Sequence, residues 1–222
     1  GKLVMPLELP PLLPGLGVDN QVAFGADDGR CRRRARLLGV GEAGRPMGLE
    51  DLLAADLDKA KEFAGGAFAT IYLAPYNYHR VHAPVDGELV TAHYVPGDLF
   101  SVNSKTAAHV PGLFSRNERL NLHFHTAFGP MVVVLVGALN VGSISTPWSG
   151  EIRPRRSGVV ETVDLSAAPR ETSKGDLLGW FNMGSTVILL LPPDSCSWRE
   201  NFEPGVTTVM GEPIGDLVAP AG

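Results

Sequence analysis

The sequence predicts a mainly β, α+β fold, a single domain over residues 1–222 made of antiparallel sheets with a few helices. Three observations carry that expectation. Short β-rich runs cut by Pro and Gly follow one another from Ala67 to Leu191. Only one segment, Leu49 to Phe63, has a clear helical period. Apolar residues make up 44% and charged residues 19% of the chain, the composition of a packed globular protein rather than a disordered one. At 222 residues there is material for one real core, because a domain of this size buries roughly 70% of the surface its unfolded chain exposes.

In chain order, residues 1–20 hold Pro6, Pro10, Pro11 and Pro14 with Gly15 and Gly17, and read as an extended or irregular lead-in. The helix over Leu49 to Phe63 places Leu49, Leu52, Leu53, Ala55, Leu57, Ala60 and Phe63 near one face, with charges between them. The strands expected next are Ala67 to Leu73, Gly87 to Val95, Leu120 to Thr126, Met131 to Val141, Gly158 to Val163 and Val187 to Leu191. Met131 to Leu139 lacks period-2 alternation, so it should be a strand buried on both faces. It is also the longest uncharged apolar run, about half of the roughly 18 residues a membrane-spanning helix needs. The opening Gly1-Lys2-Leu3-Val4-Met5-Pro6 lacks the regions of a signal peptide and reads as a trimmed start.

A net charge of −5 and a pI near 5.7 argue against an electrostatically driven nucleic-acid binder. One local basic cluster stands out at Arg30, Arg32, Arg33, Arg34 and Arg36. It is either a solvated face or a contact for anionic lipid. Cys31 and Cys196 are far apart and have no ligand spacing, which leaves a zinc site or disulfide framework unsupported and fits a reduced, cytosolic setting.

Three sets of residues carry candidate chemistry. Met183-Gly184-Ser185-Thr186 lies directly before the apolar run from Val187 to Leu191, although a Gly-Ser pair by itself is usually a turn and Gly142-Ser143 is a second one. In Tyr78-His79-Arg80-Val81-His82 the two histidines stand three apart. On extended backbone they point to opposite faces and do different jobs rather than share a metal. Either ring can also be a core histidine bonded to backbone, the default for His93, His109, His123 and His125. His123 and His125 could share a strand face as metal ligands, but no third ligand supports them. Asp28 precedes Gly29 in Ala26-Asp27-Asp28-Gly29, by itself a plain turn.

Taken together, these segments resemble the bacterial phosphatidylserine decarboxylase family. YHRVHAP at Tyr78 to Pro84 is similar to that family's YHRVHMP, and MGSTV at Met183 to Val187 to its processing motif, usually LGSTV. YVPGDLFSVN at Tyr94 to Asn103, FSRNER at Phe114 to Arg119, FGPM at Phe128 to Met131 and VGSI at Val141 to Ile144 resemble its other blocks. The likeness runs from about Arg45 to about Gly215.

The resemblance implies that Ser185 becomes a covalent pyruvoyl group and that Gly184 ends the other chain, giving a β chain of 1–184 and an α chain of 185–222. It implies that His82 and Asp28 complete the self-processing triad and that His79 serves decarboxylation. The reaction implied turns phosphatidylserine into phosphatidylethanolamine and carbon dioxide through a Schiff base, with no metal and no diffusible cofactor, at the cytoplasmic face of the cell membrane. The implied partners are the lipid, the membrane surface and the α and β chains as a heterodimer, with a homo-oligomer left open. Two departures stand out. Phe24-Gly25 and an extra acid replace the usual Pro-Ala-Asp-Gly setting, so Asp27 competes with Asp28, and nothing corresponds to the family's N-terminal membrane-anchoring segment.

Three rivals use the same residues: a pyruvoyl enzyme acting on a free amino acid, a Ser-His-Asp hydrolase, and a non-processing binding domain. The hydrolase lacks a G-x-S-x-G elbow, since Gly184-Ser185 runs straight into a strand-like segment.

Overall fold

A computed structural model describes residues 21–23, 34–42, 48–54, 57–139, 143–153 and 158–218. Strands β1 (Gln21–Ala23) and β2 (Arg34–Glu42) come first, followed by helices α1 (Leu49–Leu53) and α2 (Leu57–Glu62). β3 (Ala67–Leu73), β4 (Arg80–His82) and β5 (Gly87–Val95) lead to two short helices, α3 (Ser104–His109) and α4 (Leu113–Arg116). β6 (Arg119–Thr126) and β7 (Gly129–Val136) form a hairpin. The small strands β8 (Ile144–Thr146), β9 (Gly150–Ile152), β10 (Glu161–Thr162) and β11 (Glu171–Thr172) follow. The chain closes with β12 (Leu177–Phe181), β13 (Ser185–Leu191), β14 (Cys196–Trp198), β15 (Thr207–Val209) and β16 (Pro213–Leu217).

The large sheet runs β10-β5-β6-β7-β13-β3-β2-β15, with β11 beside β5; a second sheet runs β4-β12-β8-β9, and a third β1-β16-β14. All of these strand pairings are antiparallel, as the mainly β reading expects. The core sits on β7 and β13. Met131 to Val136 and Val187 to Leu191 are buried on both faces, which is why neither run alternates. Each such Val, Leu or Ile contributes roughly 1.5–3 kcal/mol by leaving water.

One face of the large sheet carries α1. Arg119 donates Nε–H to the Leu52 carbonyl at 2.7 Å and also reaches the Asp51 carbonyl, while Asn121 donates Nδ2–H to those of Leu52 and Leu53. The other face carries the second sheet, where a Cβ on Gly179 of β12 would lie 3.0 Å from Leu135 Cδ2.

These contacts correct the expected helix over Leu49 to Phe63, which is split in two. The carbonyls of Asp51, Leu52 and Leu53 are taken by Arg119 and Asn121, so they are occupied where a continuing helix would need them, and α1 stops at Ala54, where φ is 52°. Buried Leu49, Leu52, Leu53, Ala60 and Phe63 keep the expected apolar face. The strand expected over Gly158 to Val163 reduces to Glu161–Thr162, and β7 ends at Val136 rather than Val141.

Candidate active site around the Gly184-Ser185 bond

The Gly184-Ser185 bond lies where the chain crosses from the second sheet into the large one. β12 ends at Phe181, Asn182 and Met183 are exposed, and β13 begins at Ser185, opposite Leu73 of β3. Gly184 is wedged against β3 and the residues after it: a Cβ there would lie 3.1 Å from Pro75 Cδ and 3.2 Å from the Leu73 carbonyl oxygen. Ser185 is fully buried, and its Oγ has no hydrogen-bond partner. A buried hydroxyl left unpaired costs about 1–3 kcal/mol, so such an atom calls for a chemical explanation.

Both histidines of the Tyr78 to His82 segment are tied to this crossing. β4 pairs with β12, His82 opposite Leu177, and the His79 carbonyl accepts from Phe181 N–H at 3.1 Å. His82 is buried and held at both nitrogens. Nδ1–H donates to the Gly175 carbonyl at 2.7 Å, and Nε2 accepts from the Tyr78 hydroxyl at 2.9 Å, with the two rings stacked 12° from parallel. Burial holds the His82 pKa below its usual value, with Arg80 adding to that effect and the Gly175 carbonyl and Asp176 opposing it.

His79 is half-buried. Its Nε2–H donates to the Pro75 carbonyl at 3.2 Å, while Nδ1 is buried without a partner, and burial again lowers the pKa against the pull of that carbonyl. The residue whose carbonyl orients His79 is therefore the one packed on Gly184. Ser185 and His82 make no direct hydrogen bond: Tyr78 holds Nε2, and the serine oxygen is unpaired. Asp27 and Asp28 lie outside the described residues, as do Arg30, Arg32 and Arg33 of the basic cluster.

A recess of about 130 Å³ opens beside the bond, lined by Tyr72, Pro75, Ser101, Val102, Ala138, Leu139, Met183 and Gly184. Two of its apolar lining residues are exposed, Leu139 at 58% and Met183 at 42%, and Tyr76, next to Pro75 in the chain, is 67% exposed. No described helix is long and apolar enough to cross a membrane.

Among the described residues no group of His, Cys, Asp and Glu could hold a metal. His123 is buried edge-on against His93 at 5.3 Å while His125 is exposed, so the two do not form a site. Burial, with Asp216 nearby, pushes the Cys196 thiol up to about 12, which disfavours its thiolate form at neutral pH. Sequence reasoning gave Tyr78 no role, although it lies within the motif and four residues before the histidine it holds.

The family model for phosphatidylserine decarboxylase matches residues 38–216. Phosphatidylserine decarboxylase proenzymes of Saccharophagus degradans, Methylococcus capsulatus and Vibrio vulnificus are 48%, 47% and 49% identical over 169, 172 and 173 residues. Those alignments cover 76%, 78% and 77% of this chain and 59%, 60% and 61% of the relatives, so the chain spans about 60% of their length. With the matched region enclosing the histidine segment, the Gly184-Ser185 crossing and the whole large sheet from Leu37 onward, the chain belongs to the phosphatidylserine decarboxylase family.

Proposed function

We propose that this chain cleaves itself between Gly184 and Ser185 and, with the pyruvoyl group so formed, converts phosphatidylserine to phosphatidylethanolamine and carbon dioxide. The observation that carries the reading is the fully buried, unpaired Ser185 Oγ at the edge of a strand, directly after a glycine packed tightly on Pro75. A hydroxyl with only a structural task would have a partner; a nucleophile waiting for its base need not.

Ser185 Oγ attacks the Gly184 carbonyl, its proton passes to a base, and the peptide C–N bond gives way to an ester as the amide nitrogen is protonated. Loss of the Ser185 Cα proton expels the Gly184 carboxylate. The dehydroalanine left at 185 takes up water and releases ammonia, which leaves a keto group. His82 supplies the base: burial keeps the ring neutral, and the Gly175 carbonyl fixes the proton on Nδ1, so the basic lone pair is on Nε2. Tyr78 occupies that lone pair in the continuous chain and yields it, or relays through its hydroxyl, when Ser185 is deprotonated. Asp28 is assigned as the residue that orients His82, with Asp27 as its competitor.

Ser185 fits the pyruvoyl role because the position is dry and its side-chain atoms have no competing bonds. The group supplies an electron sink for the pair released as carbon dioxide leaves, the task pyridoxal phosphate performs elsewhere. His79 Nδ1, unpaired beside the residue that packs on Gly184, carries the proton that replaces the carboxylate. The exposed apolar side chains of Leu139 and Met183 at the recess, with Tyr76 beside Pro75, favour a lipid over a free amino acid as substrate, and a peripheral seat on a membrane.

Denaturing electrophoresis with intact-mass analysis tests the reading. The expected result is an α chain of residues 185–222 with a blocked, pyruvoyl N-terminus, and no such chain from Ser185→Ala. Wild-type protein that stays whole on long incubation would falsify it.

A further inference from the structure

Strand register puts Glu118 in one row with Ser185. Thr186 pairs with Val136, and Val136 with Arg119. One step further along these strands, Ser185 faces Gly137 and Gly137 faces Glu118, whose carbonyl accepts from Gly137 N–H at 2.9 Å. Residues in one row of a sheet share a face, so Glu118 and Ser185 both point to the side occupied by the second sheet. Between them stands a residue without a side chain.

The glutamate fills that gap. A Cβ on Gly137 would lie 2.6 Å from Glu118 Oε1 and 2.7 Å from its Cγ. Its other oxygen, Oε2, turns toward β5 and accepts from the Tyr94 hydroxyl at 3.0 Å. Oε1 thus lies on the side of β7 and β13. Both Glu118 and Ser185 are fully buried, and Glu118 Oε1 and Ser185 Oγ each lack a hydrogen-bond partner. Two unpaired polar atoms on one face of one row, with only a glycine between them, are unusual in a core where nearly all such groups are satisfied.

We propose that Glu118 is the polar partner of residue 185, reaching across Gly137 to hydrogen-bond the Ser185 hydroxyl as it turns to attack Gly184 and the keto oxygen that replaces it afterwards. A keto oxygen accepts only, so Glu118 must then donate. Burial raises the Glu118 pKa, partly offset by the Tyr94 hydroxyl, which favours the protonated form this requires. The geometry also gives Gly137 its reason: any side chain there would push the carboxyl away from residue 185.

The inference rests on the self-cleavage reading, and full-chain variants separate the two. Glu118→Leu, similar in size and apolar, should slow α-chain formation by roughly 10²-fold, the scale of losing one preorganised donor, without lowering the melting temperature. Glu118→Gln should restore cleavage, because its amide can donate where Oε1 stands while its carbonyl still accepts from Tyr94. Gly137→Ala should slow cleavage in the Glu118 protein yet cost nothing further in a Glu118→Ala background, where the collision is gone. Wild-type cleavage rates in Glu118→Leu, or a loss that tracks falling thermal stability and is not rescued by Gln, overturn the assignment. A wild-type chain that never cleaves overturns the self-cleavage reading instead.

Discussion

On the C-terminal side of Gly184 every residue of β13 from Ser185 to Leu191 is buried and paired with β3, and Thr186 to Leu190 are paired with β7 as well, whereas on the N-terminal side Asn182 and Met183 are exposed. The same contrast divides the two histidines that border this crossing. His82 is buried and clamped at both ring nitrogens; His79 is half-buried, held at one nitrogen and unpaired at the other. If the bond is cut once, as proposed, it needs one partner that cannot move and one that can withdraw. A group that must pass protons repeatedly needs a free lone pair, which the clamped ring lacks and the half-buried ring has.

Removing each ring in turn breaks the comparison most sharply. His82→Ala should abolish cleavage, with losses approaching 10⁴-fold as in analogous hydrolase triads. His79→Ala should leave most of the cleavage and suppress carbon dioxide release. The readouts are electrophoresis for the first and gas release for the second, and two variants that both cleave and turn over normally would remove the assignment. Asp28→Asn against Asp27→Asn, followed by the same gel, tests the proposed orienting role of Asp28; slowing by Asp27→Asn alone would shift the register by one residue.

The two flanks should differ in energy as well. Ile188→Ala, at a fully buried position bonded into the middle of β13, should cost about 2–5 kcal/mol of stability. Met183→Ala, on the exposed flank, should stay within about 0.5 kcal/mol. Chemical denaturation of the uncleavable Ser185→Ala protein measures both without the complication of chain cutting, and equal costs would mean that the crossing is not divided as described.

How much of this was legible in the sequence follows the same division. β7 and β13 could be read because a strand buried on both faces leaves an unbroken apolar run, and Ser185 because its motif abuts one. β4 and β12 could not, because three and five residues are too few for a period to emerge and their partners come from distant segments. The end of α1 was hidden for a related reason: Arg119 takes the Leu52 carbonyl from 67 positions away. Glu118 was quoted only as part of a motif, since a glutamate beside an arginine ordinarily reads as a solvated charge. Its place in one row with Ser185 exists only once the register of three strands is known.

The pH responses should run in opposite directions. On the proposed roles, cleavage would use His82 as a free base, and burial holds its pKa below the usual 6.5. Cleavage should therefore be flat through neutral pH and fall about tenfold per unit only below that lowered value. Proton delivery by His79, as proposed, would need the ring charged, and its pKa is lowered as well, so turnover limited by that step should fall as pH rises through it. The linkage to stability has one sign for both rings: each is disfavoured as a cation in the folded chain, so stability is lost as pH falls below about 6.5 toward the folded values. Cleavage and turnover profiles falling on the same side would contradict the division of roles.

A small effect on binding is expected of the exposed flank and its seat on a membrane. Two features can attract a lipid surface: the arginines from Arg30 to Arg36, each contributing about 1 kcal/mol near an anionic surface, and the exposed apolar side chains of Leu139 and Met183 at the recess, with Tyr76 beside Pro75. The net charge of −5 opposes the first and leaves the second untouched. Sedimentation with phosphatidylserine-containing vesicles should therefore show binding that weakens as salt shortens the Debye length, on top of a portion that salt does not remove. Replacing Leu139 and Met183 together by Ser should lower that salt-resistant portion about fivefold, the scale of 1 kcal/mol for side chains that enter the interface only in part. Replacing the arginines should change only the salt-sensitive portion. Binding to neutral vesicles that is indifferent to both rim substitutions would show that the recess does not face the membrane, and would move the search for the docking surface away from the exposed flank of the Gly184-Ser185 bond.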